Sequence, residues 1–343
     1  MKHSALSIIF ISLLSGCAAK NHYARASTPL ISQPAPPAQE KPTSLSALGR
    51  DPAEFPAYVD TLKAEARGRG IPSDVIAESF ANIHFVDRAI AADRNQPEAK
   101  LTLDAYLARV LTADKIAQGK AMMARYRTQL RAVSERYGVA PQYIVALWGM
   151  ESQYGKIQGK EDIVSALATL AFEGRRETFF KNQLFAALQM IQRGANDAQS
   201  MKGSWAGAMG QNQFMPGSYL HYGADGDGDG RIDIWNNPDD VFASTARYLA
   251  RSGWRVEVTL PAGFDSALIG VKKAQGKSVA RWLRQGLTPQ NAAPPAAQTA
   301  WIVQPDDTQG RAFMVYDNFR TLMRWNRSYY FAISVGMLAD AIA

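Results

Sequence analysis

Apolar residues recur at helical spacing along most of the chain from Phe55 onward, giving predicted helices at roughly 55–68, 73–80, 100–112, 113–137 and 141–153. The set Ile163, Leu167, Leu170 and Phe172 predicts another, and Phe179 to Arg193 a further one. Residues 238–252 predict one more, stopped by Gly253. After Trp254 the pattern changes. Short β-prone pieces, Val256 to Leu260 and Phe313 to Tyr316, flank a helical Ser278 to Gln285 and a Pro/Ala-rich stretch near 288–297. Helical spacing then returns from about Arg327 to Ile342. The expected body is mainly α, with a small α+β insertion at about 255–320. It shows no internal repeat and no appended carbohydrate-binding module.

The first fifty residues follow a different rule. Lys2, His3 and Ser4 precede an apolar stretch from Ala5 to Leu14, too short to cross a bilayer as a helix and shaped like the hydrophobic region of a signal peptide. It ends in Leu14-Ser15-Gly16-Cys17, which resembles the bacterial lipobox. That resemblance implies cleavage after residue 16 and lipidation of Cys17, and Ala18 in place of aspartate implies an outer-membrane address. Acyl chains contribute about 0.8 kcal/mol per buried methylene, so several of them anchor a protein stably. The remainder, residues 17–50, is rich in Ala, Pro and Ser and reads as a tether. The folded body is expected over 51–343. Cys17 is the single cysteine, so none is left for a disulfide.

The chain has 343 residues, 47% of them hydrophobic, ample for a core. Its formal charge of +7 comes from basic residues spread along the sequence rather than gathered in blocks. No zinc-finger or nucleotide-binding signature accompanies them, so nucleic acid is not an expected partner.

Three constellations carry candidate chemistry. In Gly149-Met150-Glu151-Ser152-Gln153-Tyr154-Gly155, Glu151 falls in the last turn of a helix that Pro141 opens. There the helix dipole opposes a negative charge, and Trp148, Met150 and Tyr154 strip water from the carboxyl. Both effects favour the protonated acid that glycosidic cleavage needs. The glycines at 149, 155, 207 and 210 either open the way for a bulky sugar or serve packing, and spacing alone does not separate the two. The second constellation is Gly203 to Pro216, GSWAGAMGQNQFMP. Ser204 and Gln213 offer neutral hydrogen bonds to hydroxyl and acetamido groups, and Trp205 and Phe214 offer flat faces to sugar rings; the alternative is a glycine-rich connector with buried aromatics.

The third runs from Asp225 to Asn236 and matches a calcium-binding EF-hand loop at positions 1, 3, 5, 6 and 9. Asp225, Asp227 and Asp229 supply oxygens, Gly230 allows the sharp turn, and the carbonyl of Arg231 completes the near side. Position 12 is Asn236, so the closing acid must come from Asp240 or Asp239. A lone loop of this kind points to a structural ion rather than a sensor. Arg175-Arg176 offers two guanidinium forks for carboxylates, or a solvated face. Tyr106, Tyr248, Trp325, Asn326, Tyr330 and Phe331 are candidates for cleft walls or for core.

Taken together, ALWGMESQYGKIQGK (146–160), ALATLAFEGRR (166–176), the block from Lys202 to Tyr219, the acidic loop with WNNPDD, and TARYLARSGW (245–254) resemble the membrane-bound lytic murein transglycosylase B family. The resemblance runs from about Phe55 to Ala341. It implies a lysozyme-like helical core with a helical lobe and a small β-containing lobe, with no cofactor for chemistry. Peptidoglycan glycan strands are the implied substrate, cut without water between N-acetylmuramic acid and N-acetylglucosamine to leave 1,6-anhydro ends. Glu151 falls on the family's catalytic glutamate. Substrate contacts fall on Ser204, Gln213, Phe214 and Tyr248, and peptide-stem contacts on Arg175 and Arg176. Asn326 is retained, and Tyr106 lies in the cleft by position. The expected location is the periplasmic face of the outer membrane, lipid-anchored; any synthase or amidase partner goes unnamed.

Two departures stand out: Trp325 occupies a place where tyrosine is frequent, and so does Phe331. Two competing readings remain open. One is a hydrolytic muramidase using Glu173 or Asp162 as second carboxylate. The other is a calcium-stabilised wall-binding scaffold with a vestigial glutamate.

Overall fold

The computed structural model describes residues 50–94, 101–255, 262–264, 276–287, 295–305 and 312–343. The expected signal peptide, Cys17, nearly all of the tether and the β-prone piece at 256–260 lie outside the described residues.

The helices before the acid are α1 (Phe55–Gly68), α2 (Ser73–Ser79), α3 (Asp87–Arg94), α4 (Leu103–Val110), α5 (Ala113–Arg125), α6 (Arg127–Tyr137) and α7 (Pro141–Ser152). The single helix expected over 113–137 is two, because the backbone breaks at Tyr126, whose ring packs edge-on against Trp148 and Phe242. Helix α3 was not foreseen, since its eight residues bury little beyond Ala89 and Asp93 and carry no clear apolar stripe. Threonine caps open α4 and α5, Thr102 accepting from the amide of Ala105 and Thr112 from that of Lys115.

Helix α7 is the axis of the fold. Pro141 sits in its first turn, and every residue from Tyr143 to Ser152 is buried. A helix apolar on all sides needs neighbours all round, and α5, α6, α11 (Pro238–Arg251) and α14 (Tyr329–Ile342) pack against it. Beside it, α8 (Ile163–Glu173), capped by Asp162 through the amide of Ser165, is also buried throughout and packs on α9 (Glu177–Gln192). Helix α10 (Pro216–Tyr222) lies between α9 and α11; its glycine and aromatic residues hid it from the periodicity.

Two short strands, β1 (Glu161–Asp162) and β2 (Lys202–Gly203), pair antiparallel and tie the segment after α7 to the glycine-rich turn. The small lobe holds β3 (Ala262–Phe264), β4 (Lys277–Ser278), β5 (Thr299–Val303) and β6 (Ala312–Val315) in the antiparallel order β3-β6-β5-β4. Helix α12 (Val279–Arg284) covers a separate apolar cluster there, with Trp282 and Met314 fully buried. The chain leaves β6 through α13 (Asp317–Trp325) and returns to the main core as α14. Residues 317–325, where the sequence pattern predicts no helix, form a strongly amphipathic one that packs on α11 and α14.

Candidate active site

Glu151 stands in the last turn of α7 with only 5% of its surface exposed. The helix stops abruptly. Gln153, Tyr154 and Gly155 all take left-handed φ values (50°, 59° and 84°), so the chain folds back on itself immediately after the acid. Tyr154 then lies over Gly149, where an added methyl would come within 2.6 Å of its ring, and its hydroxyl donates to the carbonyl of Lys115 at 2.8 Å. Of the two roles the sequence leaves open for these glycines, the contacts show packing. Side chains at 155, 207 and 210 would collide with Gln211, Leu167 and Ile234 respectively, so these positions seat the turn against its neighbours.

One oxygen of the Glu151 carboxyl, Oε1, accepts a 2.6 Å hydrogen bond from the indole Nε1 of Trp325. Trp325 is half-buried among aromatic rings, 4.7 Å from Tyr248 and 5.4 Å from Phe214 between centroids. Tyr222 extends this wall beyond Tyr248 at 4.5 Å. The Tyr248 hydroxyl donates to the carbonyl of Arg324 at 2.8 Å, and burial pushes that hydroxyl well above the usual phenol range, so it stays a neutral donor. Burial disfavours an ionised carboxylate, whereas a donor at Oε1 favours it. At Oε1 the indole of Trp325 thus supports the ionised form of an otherwise desolvated acid.

The glycine-rich segment is a compact turn joined through Gly203–Met209 and Met209–Phe214 bridges. Ser204 is 1% exposed, and its hydroxyl accepts from the amide of Ala208 at 2.9 Å. Gln213, at a left-handed φ of 50°, donates through Nε2 to the carbonyls of Gln158 and Gly210, and leaves Oε1 buried without a hydrogen-bond partner. Gln211 bridges Trp148 Nε1 and the carbonyl of Trp235. Phe214 is 3% exposed within the wall, while Trp205 is half-buried. The half-buried Asn326 follows Trp325, its amide closing α13 on Leu322.

Other candidates go elsewhere. Arg175 pairs with Glu173 at 2.9 Å and with buried Asp93. Arg176 has no acidic partner among the described residues; its guanidinium lies over Phe179 and Phe180, 4.4 Å and 4.9 Å from the ring centres. Tyr106 is 4% exposed and meets Tyr330 edge-on. Phe331, offered as a cleft wall, is buried to 1% in the core, so its difference from tyrosine changes packing rather than a sugar contact.

The acidic loop gathers carboxylate oxygens of Asp225, Asp227 and Asp229 within 4.8 Å of one another. The amide of Gly230 donates to Asp225 and holds its carboxyl below the usual range, and Gly230 itself takes the φ of 86° that the turn requires. Asp240 is fully buried. Its two oxygens accept from the amides of Gly226 at 2.7 Å and Asp233 at 2.6 Å, so it fastens the loop to α11. Asp239 is raised by burial and by the facing charge of Asp227.

A helical, lysozyme-like body with one buried acid at the end of its central helix defines a glycan-cleaving class of protein. The chain belongs to the transglycosylase SLT domain family, which matches residues 54–340. It is 34% identical over 250 residues to membrane-bound lytic murein transglycosylase B of Escherichia coli K12, a match covering 69% of this chain and 66% of that one. Pseudomonas aeruginosa SltB3, solved in complex with NAG-anhNAM-pentapeptide, superposes with a TM-score of 0.78 at 37% identity, covering 84% of this chain and 79% of that one. The Escherichia coli lytic transglycosylase Slt35 in complex with calcium gives a TM-score of 0.73 at 29% identity, covering 85% and 93%.

Proposed function

We propose that this protein is a lytic murein transglycosylase that cleaves the β-1,4 bond between N-acetylmuramic acid and N-acetylglucosamine for wall turnover or remodelling. Glu151 gives its proton to the glycosidic oxygen as the bond to the muramoyl anomeric carbon breaks. The resulting carboxylate then takes the proton of the muramoyl 6-hydroxyl as that oxygen attacks the same carbon. A 1,6-anhydro ring closes, Glu151 is protonated again and no water is consumed. Ser204, Gln213, Phe214, Tyr248 and Asn326 are the proposed sugar contacts, and Arg176, whose charge is unneutralised, is the better of the two arginines for a peptide-stem carboxylate.

The observation that carries the non-hydrolytic reading is where the rival carboxylates are spent. A hydrolase needs a second one to activate water. Glu173 is held by Arg94 and Arg175, and Asp162 caps α8 and meets Lys202 at 3.3 Å. One acid suffices when the nucleophile belongs to the substrate. The test is mass spectrometry of soluble muropeptides released from purified peptidoglycan by wild type and by Glu151→Gln. Products lighter by one water, absent with the variant, support the reading; reducing muramic ends would replace it with a muramidase.

The acidic loop is proposed to hold a structural calcium ion. Three carboxylates converging within 4.8 Å of one another are what a divalent cation would relieve. Asp225, Asp227, Asp229 and the carbonyl of Arg231 would hold it, with Asp240 or Asp239 closing the site. Cys17 is the proposed lipidation site. With no described helix long and apolar enough to cross a membrane, that anchor would keep the enzyme on the periplasmic face of the outer membrane. Labelling with a radioactive or alkyne fatty acid, lost in Cys17→Ser, tests it.

A further inference from the structure

Trp325 reaches Glu151 from 174 residues away, and its geometry is built rather than incidental. It ends α13. The carbonyl immediately before it, that of Arg324, is held by Tyr248, the Arg324 guanidinium is fixed on the carbonyl of Ser252, and the indole is wedged between Phe214 and Tyr248. The Nε1–H therefore points at the carboxyl from a fixed direction.

An indole N–H is a donor and nothing else. It can meet the neutral acid well only at the carbonyl-type oxygen, and the oxygen it meets is Oε1. We propose that Trp325 is a positioning residue that keeps the transferable proton of Glu151 on Oε2, the oxygen away from the indole, and then steadies the carboxylate formed when that proton leaves. The bond strengthens as charge develops, because a charge-assisted hydrogen bond is roughly twice as strong as a neutral one. An interaction stronger at the transition state than at the start raises kcat rather than lowering KM. A tyrosine hydroxyl, which both donates and accepts, would not impose this choice of oxygen. The departure from tyrosine at this position thus has a chemical content. The inference rests on the transglycosylase reading of the same site.

The experiment replaces Trp325 with 3-benzothienylalanine, which keeps the shape of the ring and exchanges N–H for sulfur, with Trp325→Phe alongside. Kinetics on a soluble, uncrosslinked glycan strand should show kcat lowered roughly 10- to 100-fold, with KM within about twofold and the melting temperature unchanged. In 15N-labelled wild type, the Trp325 indole signal, identified by its loss in Trp325→Phe, should lie downfield and move upfield in Glu151→Ala. Full kcat in the isostere, or a raised KM with kcat intact, would overturn the proposal and leave Trp325 as a sugar platform. A wild type that yields only reducing ends would sink the transglycosylase reading instead, while the indole signal would still report whether the clasp exists.

Discussion

Glu151 and the aspartates of the acidic loop are carboxylates managed in opposite ways. Glu151 is 5% exposed, walled by aromatic rings and met at Oε1 by an indole. Asp227 and Asp229 are exposed, crowded by like charges and wired to backbone amides of their own loop. Desolvation makes a group reactive by making its ionised form costly; crowding in water makes a set of groups a place for a cation. We assign the first arrangement to chemistry and the second to a structural ion as proposals.

The largest effect should come from the acid itself. Glu151→Gln should lower muropeptide release by about 10³-fold while leaving the melting temperature equal to or above wild type; an active variant would erase the contrast. Next comes Gly159→Ala. At a φ of 88°, its new methyl would collide with the backbone at Gly203, joining the segment after α7 to β2. We expect a loss of about 3 kcal/mol, seen as a melting temperature lower by roughly 6–10 °C.

Chelation with EGTA should lower the melting temperature by on the order of 5 °C, restored by calcium and absent in an Asp227→Asn/Asp229→Asn double variant. An unchanged melting temperature in metal-loaded protein would end the structural-ion idea. Smallest is Asp162→Ala, which removes the cap of α8 and should cost about 1 kcal/mol with the chemistry intact. A collapse of activity in folded Asp162→Ala would reopen the muramidase reading and give Glu151 a partner.

The features legible in the sequence were those carried by local pattern. Pro141 and an unbroken apolar run marked α7 and its buried end, and the spaced aspartates marked the loop. What escaped depended on contacts across the chain. The glycines' packing role needed the positions of Gln211, Leu167 and Ile234. Trp325 gave one available signal: a tryptophan facing a cleft needs an acceptor for its N–H. Its acceptor, however, lies 174 residues earlier, and no periodicity spans that interval. Helix α13, which delivers it, was masked by the β-prone run before it.

The indole clasp also orders events in time. A ribosome places Glu151 in the chain long before it places Trp325, and α14, which packs on α7, follows later still. A nascent or half-folded molecule thus carries the acid without the group that aims it. The arrangement around Glu151 is thus complete only once the last two helices of the chain have docked.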